Sequence, residues 1–235
     1  MILAIETSSL VSSVALCEAH KLVGELTIQT RLTHSEQLMP HIKELMEKTK
    51  TTKEKIEAVA VSIGPGSFTG LRIGLATGKG LAFAWNVPMI AVPTMEGLAW
   101  NCRNIAGCIC AVIDAQKGNV YETWYRWKNS RLETIKDTAV TAMSEVIEAA
   151  GNADEAVTFL GDGTSLFAEE IESVGGLVET AAPTMVIPRA GSVGLAAWQR
   201  FKEGKIEDCR TLVPYYIRRS EAEVLWEKRH SEGAC

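Results

Sequence analysis

The sequence predicts an α/β fold built from two related halves, and three features indicate it. Ala58–Ile63 is a continuous apolar run, which is typical of a strand buried on both faces of a sheet. Apolar residues recur at helical spacing in other segments. Two apolar runs, Ile2–Glu6 and Ile109–Asp114, each end in an acidic residue and lead into further strand-like and helix-like segments. This repetition indicates an internal duplication, with the boundary near 104–107.

The first half is predicted to alternate strands and helices. Ile2–Glu6 is a strand that ends in a hydroxyl-rich turn, and two more strands follow, joined by a turn near 18–20. The first helix is indicated by four apolar residues at helical spacing, namely Leu38, Ile42, Leu45 and Met46. Its candidate N-caps are Thr33 and Ser35. The remaining predicted elements of this half are strand Ala58–Ile63, helix Thr69–Trp85, strand Pro88–Val92 and helix Thr94–Cys102.

The second half is predicted to repeat this style of organisation. Its predicted strands are Cys108–Asp114, Val120–Trp127 and Val157–Gly161, and its predicted helices are Ala142–Ala150, Thr164–Val174 and Gly191–Phe201. We therefore expect two domains, 1–104 and 105–235. The charged stretch from Tyr215 onward, with a last helix, is expected to return to the first domain.

Composition and charge restrict the functional classes. The chain has 235 residues, of which 46% are hydrophobic, and a net charge of −5. A protein that bound RNA by itself would usually carry a basic face, so we expect any RNA contact to be shared with another chain. The basic residues near the C-terminus, Arg218-Arg219 and Lys228-Arg229-His230, are interpreted as a solvated helix end.

Neither a redox centre nor a membrane anchor is predicted. Six cysteines occur without a CxxC pair, at 17, 102, 108, 110, 209 and 235, a pattern that favours reduced, buried thiols. We find no targeting segment and no apolar stretch of membrane-spanning length, and therefore expect a cytoplasmic protein.

The strongest local motif is the glycine-rich segment Gly64–Gly74, which follows a predicted strand and opens a predicted helix. Backbone N–H groups at such a helix start can hold an anion. The glycine spacing fits neither a P-loop nor a dinucleotide fingerprint, and the flanks of Ser67 do not form a nucleophile elbow. None of these nucleotide-binding or hydrolase motifs is therefore indicated.

Four glycines recur every fourth residue from this motif into the helix, namely Gly66, Gly70, Gly74 and Gly78. A glycine inside a helix costs about 1 kcal/mol relative to alanine, so another backbone is expected to approach this stripe closely. Spacing alone leaves two interpretations open, which are packing within the chain's own fold and contact with a partner helix.

Two polar features have ordinary interpretations beside functional ones. The turn Thr7-Ser8-Ser9, next to Glu6, can be an ordinary hydroxyl-rich turn or can hold phosphate and magnesium. His34 and His41 lie about two helical turns apart, and Leu38 stands where an i, i+4 histidine pair would need its second member. We therefore expect no metal site at these histidines.

The chain resembles the TsaB family over nearly its whole length. The segments that carry the resemblance are Ile2–Ser8, His34–Pro40, Gly64–Gly74, Asp114-Ala115, Gly161-Asp162-Gly163 and Pro214–Arg218. The resemblance implies an actin-like ATPase (ASKHA) fold of two RNase H-like lobes. It also implies pairing with a TsaD-type catalytic subunit, cooperation with a TsaE-type ATPase, and homodimers through the same surface. ATP and metal are then expected on the partner subunits, with no cofactor on this chain and only indirect contact with tRNA.

In this family the two N-terminal helices form the partner contact, which favours the partner-helix interpretation of the glycine stripe. The candidate interface residues are accordingly His34, Leu38, Ile42, Leu45, Gly66, Gly70, Leu71, Gly74 and Gly78. A candidate vestigial nucleotide site comprises Glu6, Thr7, Ser8, Asp114, Gly161 and Gly163.

Departures from an active enzyme favour a non-catalytic scaffold role. TsaD-like proteins use a pair of metal-binding histidines on the first helix, and here Leu38 stands at the second position. Asp114-Ala115-Gln116-Lys117 stands where an active ATPase of this fold carries a glycine-threonine phosphate turn, and Glu6 replaces the usual aspartate. The alternative function is a small-molecule kinase or ATPase that uses Glu6, Thr7, Ser8 and Asp114.

Overall fold

The structure is a computed structural model that describes residues 1–19, 21–29 and 34–217. Its first half contains β1 (Ile2–Glu6), β2 (Val11–Glu18), β3 (Lys21–Gln29), α1 (His34–Lys48), a short 3₁₀ helix (Lys53–Lys55), β4 (Ala58–Ser62), α2 (Phe68–Trp85), β5 (Met89–Val92) and α3 (Thr94–Asn101). Its second half contains β6 (Cys108–Asp114), β7 (Asn119–Lys128), β8 (Arg131–Ala142), α4 (Met143–Gly151), β9 (Val157–Leu160), α5 (Gly163–Leu166), α6 (Ala168–Val174), β10 (Val178–Thr180) and α7 (Ala190–Lys202).

The strands form two five-stranded sheets of matching topology, with orders β3-β2-β1-β4-β5 and β10-β9-β6-β7-β8. In the first sheet β1 is antiparallel to β2 and parallel to β4. In the second sheet β6 is antiparallel to β7 and parallel to β9. The internal duplication indicated by the acid-ended strands is therefore present in the topology.

Each sheet is covered by helices on both faces. Helices α1 and α2 pack on one face of the first sheet, and α4 and α6 pack on the outer face of the second. The two helices between the sheets are exchanged between the halves: α7 packs on β1 and β2, whereas α3 packs on the second sheet. The division into domains 1–104 and 105–235 stays a prediction, because each half contributes a helix to the sheet of the other.

The chain that follows α7 returns along the flank of α2. Glu207 pairs with Met89 in a β-bridge, and the Lys79 ammonium donates to the Arg210 carbonyl. Leu212 is buried in the core between the first sheet and its helices, and the Tyr215 amide donates to the Ile63 carbonyl at 2.8 Å. The predicted last helix and the basic residues from Arg218 onward lie outside the described residues.

Side chains of the first sheet cap the N-terminus of α7 and so join the two halves. Ser13 Oγ accepts the Ala190 amide proton at 2.9 Å, and Glu25 Oε1 accepts that of Gly191 at 2.9 Å. The Arg189 guanidinium forms an ion pair with the same carboxylate, which is 7% exposed. A carboxylate at a helix N-terminus is favourable both as an acceptor and against the helix dipole.

Glu25→Ala is expected to lower the free energy of unfolding by about 2 kcal/mol, because it leaves the Gly191 amide and the Arg189 guanidinium without their acceptor. Urea denaturation measures this difference. The control is Glu47→Ala, which removes an exposed pair with Lys43 at 3.8 Å and is expected to change stability by less than about 0.5 kcal/mol. Equal effects of the two substitutions would contradict the capping role of Glu25.

Candidate functional site: the loop after β1 and the outer face of α1 and α2

The loop after β1 is covered by the start of α2. Glu6, Thr7 and Ser8 are buried. Thr7 Oγ1 donates to the Gly70 carbonyl at 2.8 Å, and the Ser67 amide donates to the Ser8 carbonyl at 2.7 Å. The loop therefore uses its polar groups to hold α2 against the end of the first strand.

The glycine stripe makes this close approach possible. A Cβ atom at Gly66 would lie 2.4 Å from the Ser8 carbonyl oxygen, and one at Gly70 would lie 2.0 Å from that of Thr7. At Gly74 it would lie 2.2 Å from Thr7 Oγ1, and at Gly78 2.5 Å from a methyl group of Val61. The expectation that these four glycines contact a partner is wrong, since they face the loop after β1 and strand β4 of their own chain.

The apolar candidates for the partner interface are also internal. Leu38, Ile42 and Leu45 on α1 are buried in the core beneath the helices. Leu71 on α2 is buried too, and its side chain lies against Gly64. Their assignment to the interface is wrong, because the apolar face of an amphipathic helix packs on its own sheet.

His34 has a local role at the start of α1. Its Nε2 is 2.8 Å from the Ser9 carbonyl oxygen, so the ring joins the helix start to the loop after β1. Its assignment to the partner interface stays a prediction.

The opposite face of α1 and α2 is exposed, and the two helices lie side by side. Phe83 on α2 is 68% exposed and Met39 on α1 is 47% exposed. Gly80 is exposed in the middle of α2, and among the described residues a Cβ atom there would meet no neighbouring atom within 4 Å. Gly80 does not belong to the series of buried glycines that recur every fourth residue. Its position outside that series is the signal in the sequence that could have identified this face.

An aromatic and cationic cluster lies at the start of α2, and sequence reasoning missed it. The Arg72 guanidinium lies 3.8 Å from the centroid of the Phe68 ring, and its Nε donates to the Tyr216 hydroxyl at 3.0 Å. The Phe68 and Tyr216 rings are 5.0 Å apart. Because Tyr216 is 144 residues away from Arg72 in sequence, no local pattern could have indicated this contact.

Glu6, the last residue of β1, is fully buried. Its Oε1 accepts the Ser8 amide proton at 2.5 Å. Burial raises the pKa of its carboxyl group above the usual range, and nearby Ser8, Ser62 and His34 oppose this shift. Ser62 Oγ also lies 2.8 Å from Thr94 Oγ1, so buried polar contacts extend from β4 to α3.

The other candidates for a nucleotide site lie on the second sheet, at the ends of β6 and β9. Gly161 has a φ of +107°, and a Cβ atom there would lie 2.0 Å from the Val112 carbonyl oxygen. The Asp114 amide donates to Asp162 Oδ1 at 3.1 Å, and Gly163 begins the four-residue helix α5. The structure thus gathers Glu6, Thr7 and Ser8 at one sheet and Asp114, Gly161 and Gly163 at the other. Nucleotide binding by these residues stays a prediction.

Residues 1–19, 21–29 and 34–217 contain no group of three or more histidine, cysteine, aspartate or glutamate residues placed to hold a metal ion. In the same ranges, every helix is too short or too polar to cross a lipid bilayer.

Comparisons with known proteins agree with this architecture. Residues 27–226 match the family model described as "TsaD: tRNA N6-adenosine threonylcarbamoyltransferase". The tRNA threonylcarbamoyladenosine biosynthesis protein TsaB of Bacillus subtilis is 34% identical, over 96% of this chain and 97% of the relative. The protein of the same name from Escherichia coli is 30% identical, over 97% of both chains.

Superposition on solved structures identifies the fold. YeaZ from Pseudomonas aeruginosa superposes with a TM-score of 0.78 and 26% identity, over 92% of this chain and 99% of that structure. The ethanolamine utilization protein EutJ from Carboxydothermus hydrogenoformans superposes with a TM-score of 0.50 at 11% identity, over 83% of this chain and 89% of that structure, a likeness of fold alone. The predicted actin-like ATPase fold is confirmed. The chain belongs to the TsaB family of tRNA threonylcarbamoyladenosine biosynthesis proteins.

Proposed function

We propose that this chain is a non-catalytic subunit that supports threonylcarbamoyl transfer to tRNA by binding a TsaD-type catalytic subunit. In this scheme the partner transfers the group to the adenosine next to the anticodon, and a TsaE-type ATPase assists. The observation that carries the scaffold role is the exposed outer face of α1 and α2, which includes Met39, Gly80 and Phe83.

Gly80 supports a close contact on this face. A glycine inside a helix costs about 1 kcal/mol relative to alanine, and for the buried glycines of α2 close packing against the loop after β1 and against β4 offsets that cost. No atom of the described chain lies where a Cβ of Gly80 would be. Ala76 and Ala84 lie one turn to either side and are exposed as well. A partner backbone can therefore approach α2 here, as small residues allow at helix–helix contacts.

The exposed apolar side chains support burial on the same face. Phe83 and Met39 are exposed, and both are residue types that protein interfaces favour. A helix face that contacts only water is usually polar. We extend the proposal to a homodimer through this face, which would compete with the TsaD-type partner for the same surface.

The loop after β1 supports a non-catalytic role. In a small-molecule kinase or ATPase, Glu6, Thr7 and Ser8 would have to reach a bound nucleotide. Here they are buried beneath α2 and engage its backbone. We therefore assign ATP and catalytic metal to the partner subunits. We assign tRNA binding to the whole cytoplasmic complex, because this chain is acidic.

Mixing the full chain with a TsaD-type subunit tests this proposal by sedimentation. A heterodimer that forms at the expense of the homodimer is expected, together with a flat calorimetric titration of the isolated chain with ATP and magnesium. Saturable nucleotide binding that Glu6→Ala removes, without any heterodimer, would support the kinase or ATPase alternative instead.

A further inference from the structure

Arg72 places a charged guanidinium on the exposed side of α2, near the start of the helix. It is exposed, as are Ala76 and Gly80, and these three residues recur every fourth position, so they lie along one side of the helix. Phe83 lies less than one turn beyond Gly80 and is exposed as well. Arg72 therefore belongs to the same outer face of α1 and α2 that carries the proposed partner contact.

Two aromatic side chains hold the Arg72 guanidinium in place. Its Cζ lies 3.8 Å from the centroid of the Phe68 ring, and its Nε donates to the Tyr216 hydroxyl at 3.0 Å. A stacked and hydrogen-bonded guanidinium has its plane fixed before any partner binds. Because Arg72 is already ordered, it loses less conformational entropy on binding than a freely rotating arginine would.

The terminal nitrogens of Arg72 stay available for a further contact. The hydrogen bond to Tyr216 uses Nε alone, and in the part of the chain that the structure describes Nη1 and Nη2 have no protein acceptor. The N–H groups of a guanidinium can donate side by side to two oxygens of one carboxylate or phosphate. The group that Arg72 is arranged to bind is therefore an oxyanion.

The charges on the outer face favour a protein carboxylate over the phosphates of RNA. Helix α2 contains no acidic residue, and its other cation, Lys79, donates to the Arg210 carbonyl. On α1, the exposed Lys43 and Lys48 form ion pairs with glutamates of the same helix. A nucleic-acid site gathers several unpaired cations. Within the described parts of α1 and α2, Arg72 instead stands beside exposed apolar side chains, as arginines do in protein interfaces.

We propose that Arg72 binds a side-chain carboxylate of the TsaD-type subunit and so sets the orientation of that subunit on the outer face of α1 and α2. Two parallel hydrogen bonds to one carboxylate restrict its angle as well as its position. This inference rests on the proposed scaffold function and adds to it a specific residue and the chemistry of its partner. Tyr216 is a positioning residue, because it acts on the contact through Nε of Arg72.

Calorimetric titration of full-length Arg72→Met with the TsaD-type subunit tests the proposal. Methionine keeps an unbranched chain beside Phe68 but removes the charge and the N–H donors. Affinity is expected to fall about 10-fold or more, because the partner's carboxylate loses its acceptor contacts in the interface. The affinity that remains is expected to depend less on salt than that of the wild type. Arg72→Lys keeps the charge without the planar fork and is expected to recover only part of the loss.

Arg103→Met is the matched control. Arg103 is also exposed and lies beside an aromatic ring, with its Cζ 5.3 Å from the centroid of Trp100, but it follows α3 rather than belonging to the outer face of α1 and α2. This variant is expected to keep the affinity and salt dependence of the wild type. Circular dichroism establishes that each variant is folded.

The possible outcomes separate this proposal from the scaffold function. Weaker binding in Phe83→Glu but wild-type binding in Arg72→Met would overturn the role of Arg72 and leave the scaffold function in place. A mixture that forms no heterodimer would overturn both. Unchanged partner affinity in Arg72→Met, together with weaker tRNA binding by the assembled complex, would also overturn the proposal, because the oxyanion would then be a phosphate.

Discussion

Gly70→Ala is expected to lower the free energy of unfolding by about 3 kcal/mol, which is the upper end of the usual effect of overpacking. The added methyl carbon would lie 2.0 Å from the Thr7 carbonyl oxygen. No side-chain rotation can relieve this contact, because the backbone fixes the position of Cβ and the oxygen is itself a backbone atom. Helix α2 must then move away from β1, and the hydrogen bond from Thr7 Oγ1 to the Gly70 carbonyl is lost with it. Urea denaturation of the isolated chain measures the change.

Gly80→Ala is the matched control, because it places the same methyl group in the same helix. A Cβ atom at Gly80 meets no neighbouring atom within 4 Å in the part of the chain that the structure describes, so only the gain in helix propensity remains. This variant is expected to be more stable than the wild type by about 1 kcal/mol. If Gly70→Ala and Gly80→Ala changed stability in the same direction, the packing of α2 against the loop after β1 would be contradicted.

Phe83→Glu is expected to weaken binding of the TsaD-type subunit by about 30-fold or more. A buried aromatic side chain at an interface commonly contributes 2 kcal/mol or more, and a glutamate there would also place a charge in the contact. Since Phe83 is 68% exposed, the isolated chain should fold normally. Calorimetric titration measures the affinity, and threonylcarbamoyl transfer at limiting chain concentration should fall in parallel.

Leu166→Glu is the control for this substitution. Leu166 is 59% exposed and lies on α5 in the second half, away from the outer face of α1 and α2. It makes the same change from an apolar to an acidic side chain and is expected to leave partner affinity unchanged. Wild-type affinity in Phe83→Glu would place the partner contact elsewhere on the chain.

The sequence predicted most of the regular elements because their patterns are local. The apolar run of β4 and the acid-ended strands β1 and β6 all lie where they were expected. Strand β8 was missed because it is a mostly polar strand at the edge of its sheet, without the apolar run that marks a buried strand. Strand β10 has only three residues. The predicted helix 164–174 is divided into α5 and α6, with the break at Phe167.

The site was harder to predict because the orientation of a helix is a tertiary property. The spacing of Gly66, Gly70, Gly74 and Gly78 correctly indicated close backbone approach, but not which backbone approaches. The exposed face could have been inferred by first assigning the apolar positions of α1 and α2 to the chain's own sheet, which leaves Gly80 on the other side of α2. The cap of α7 by Glu25 and the contact of Arg72 with Tyr216 join residues more than 140 positions apart, so no sequence window contains them.

The most direct test of the scaffold role is threonylcarbamoyl transfer to tRNA in a reconstituted mixture of TsaD-type and TsaE-type proteins, with and without this chain. We predict that transfer requires the chain, that the chain alone transfers nothing, and that Phe83→Glu restores little activity at limiting concentration. Full transfer without the chain would contradict the scaffold role.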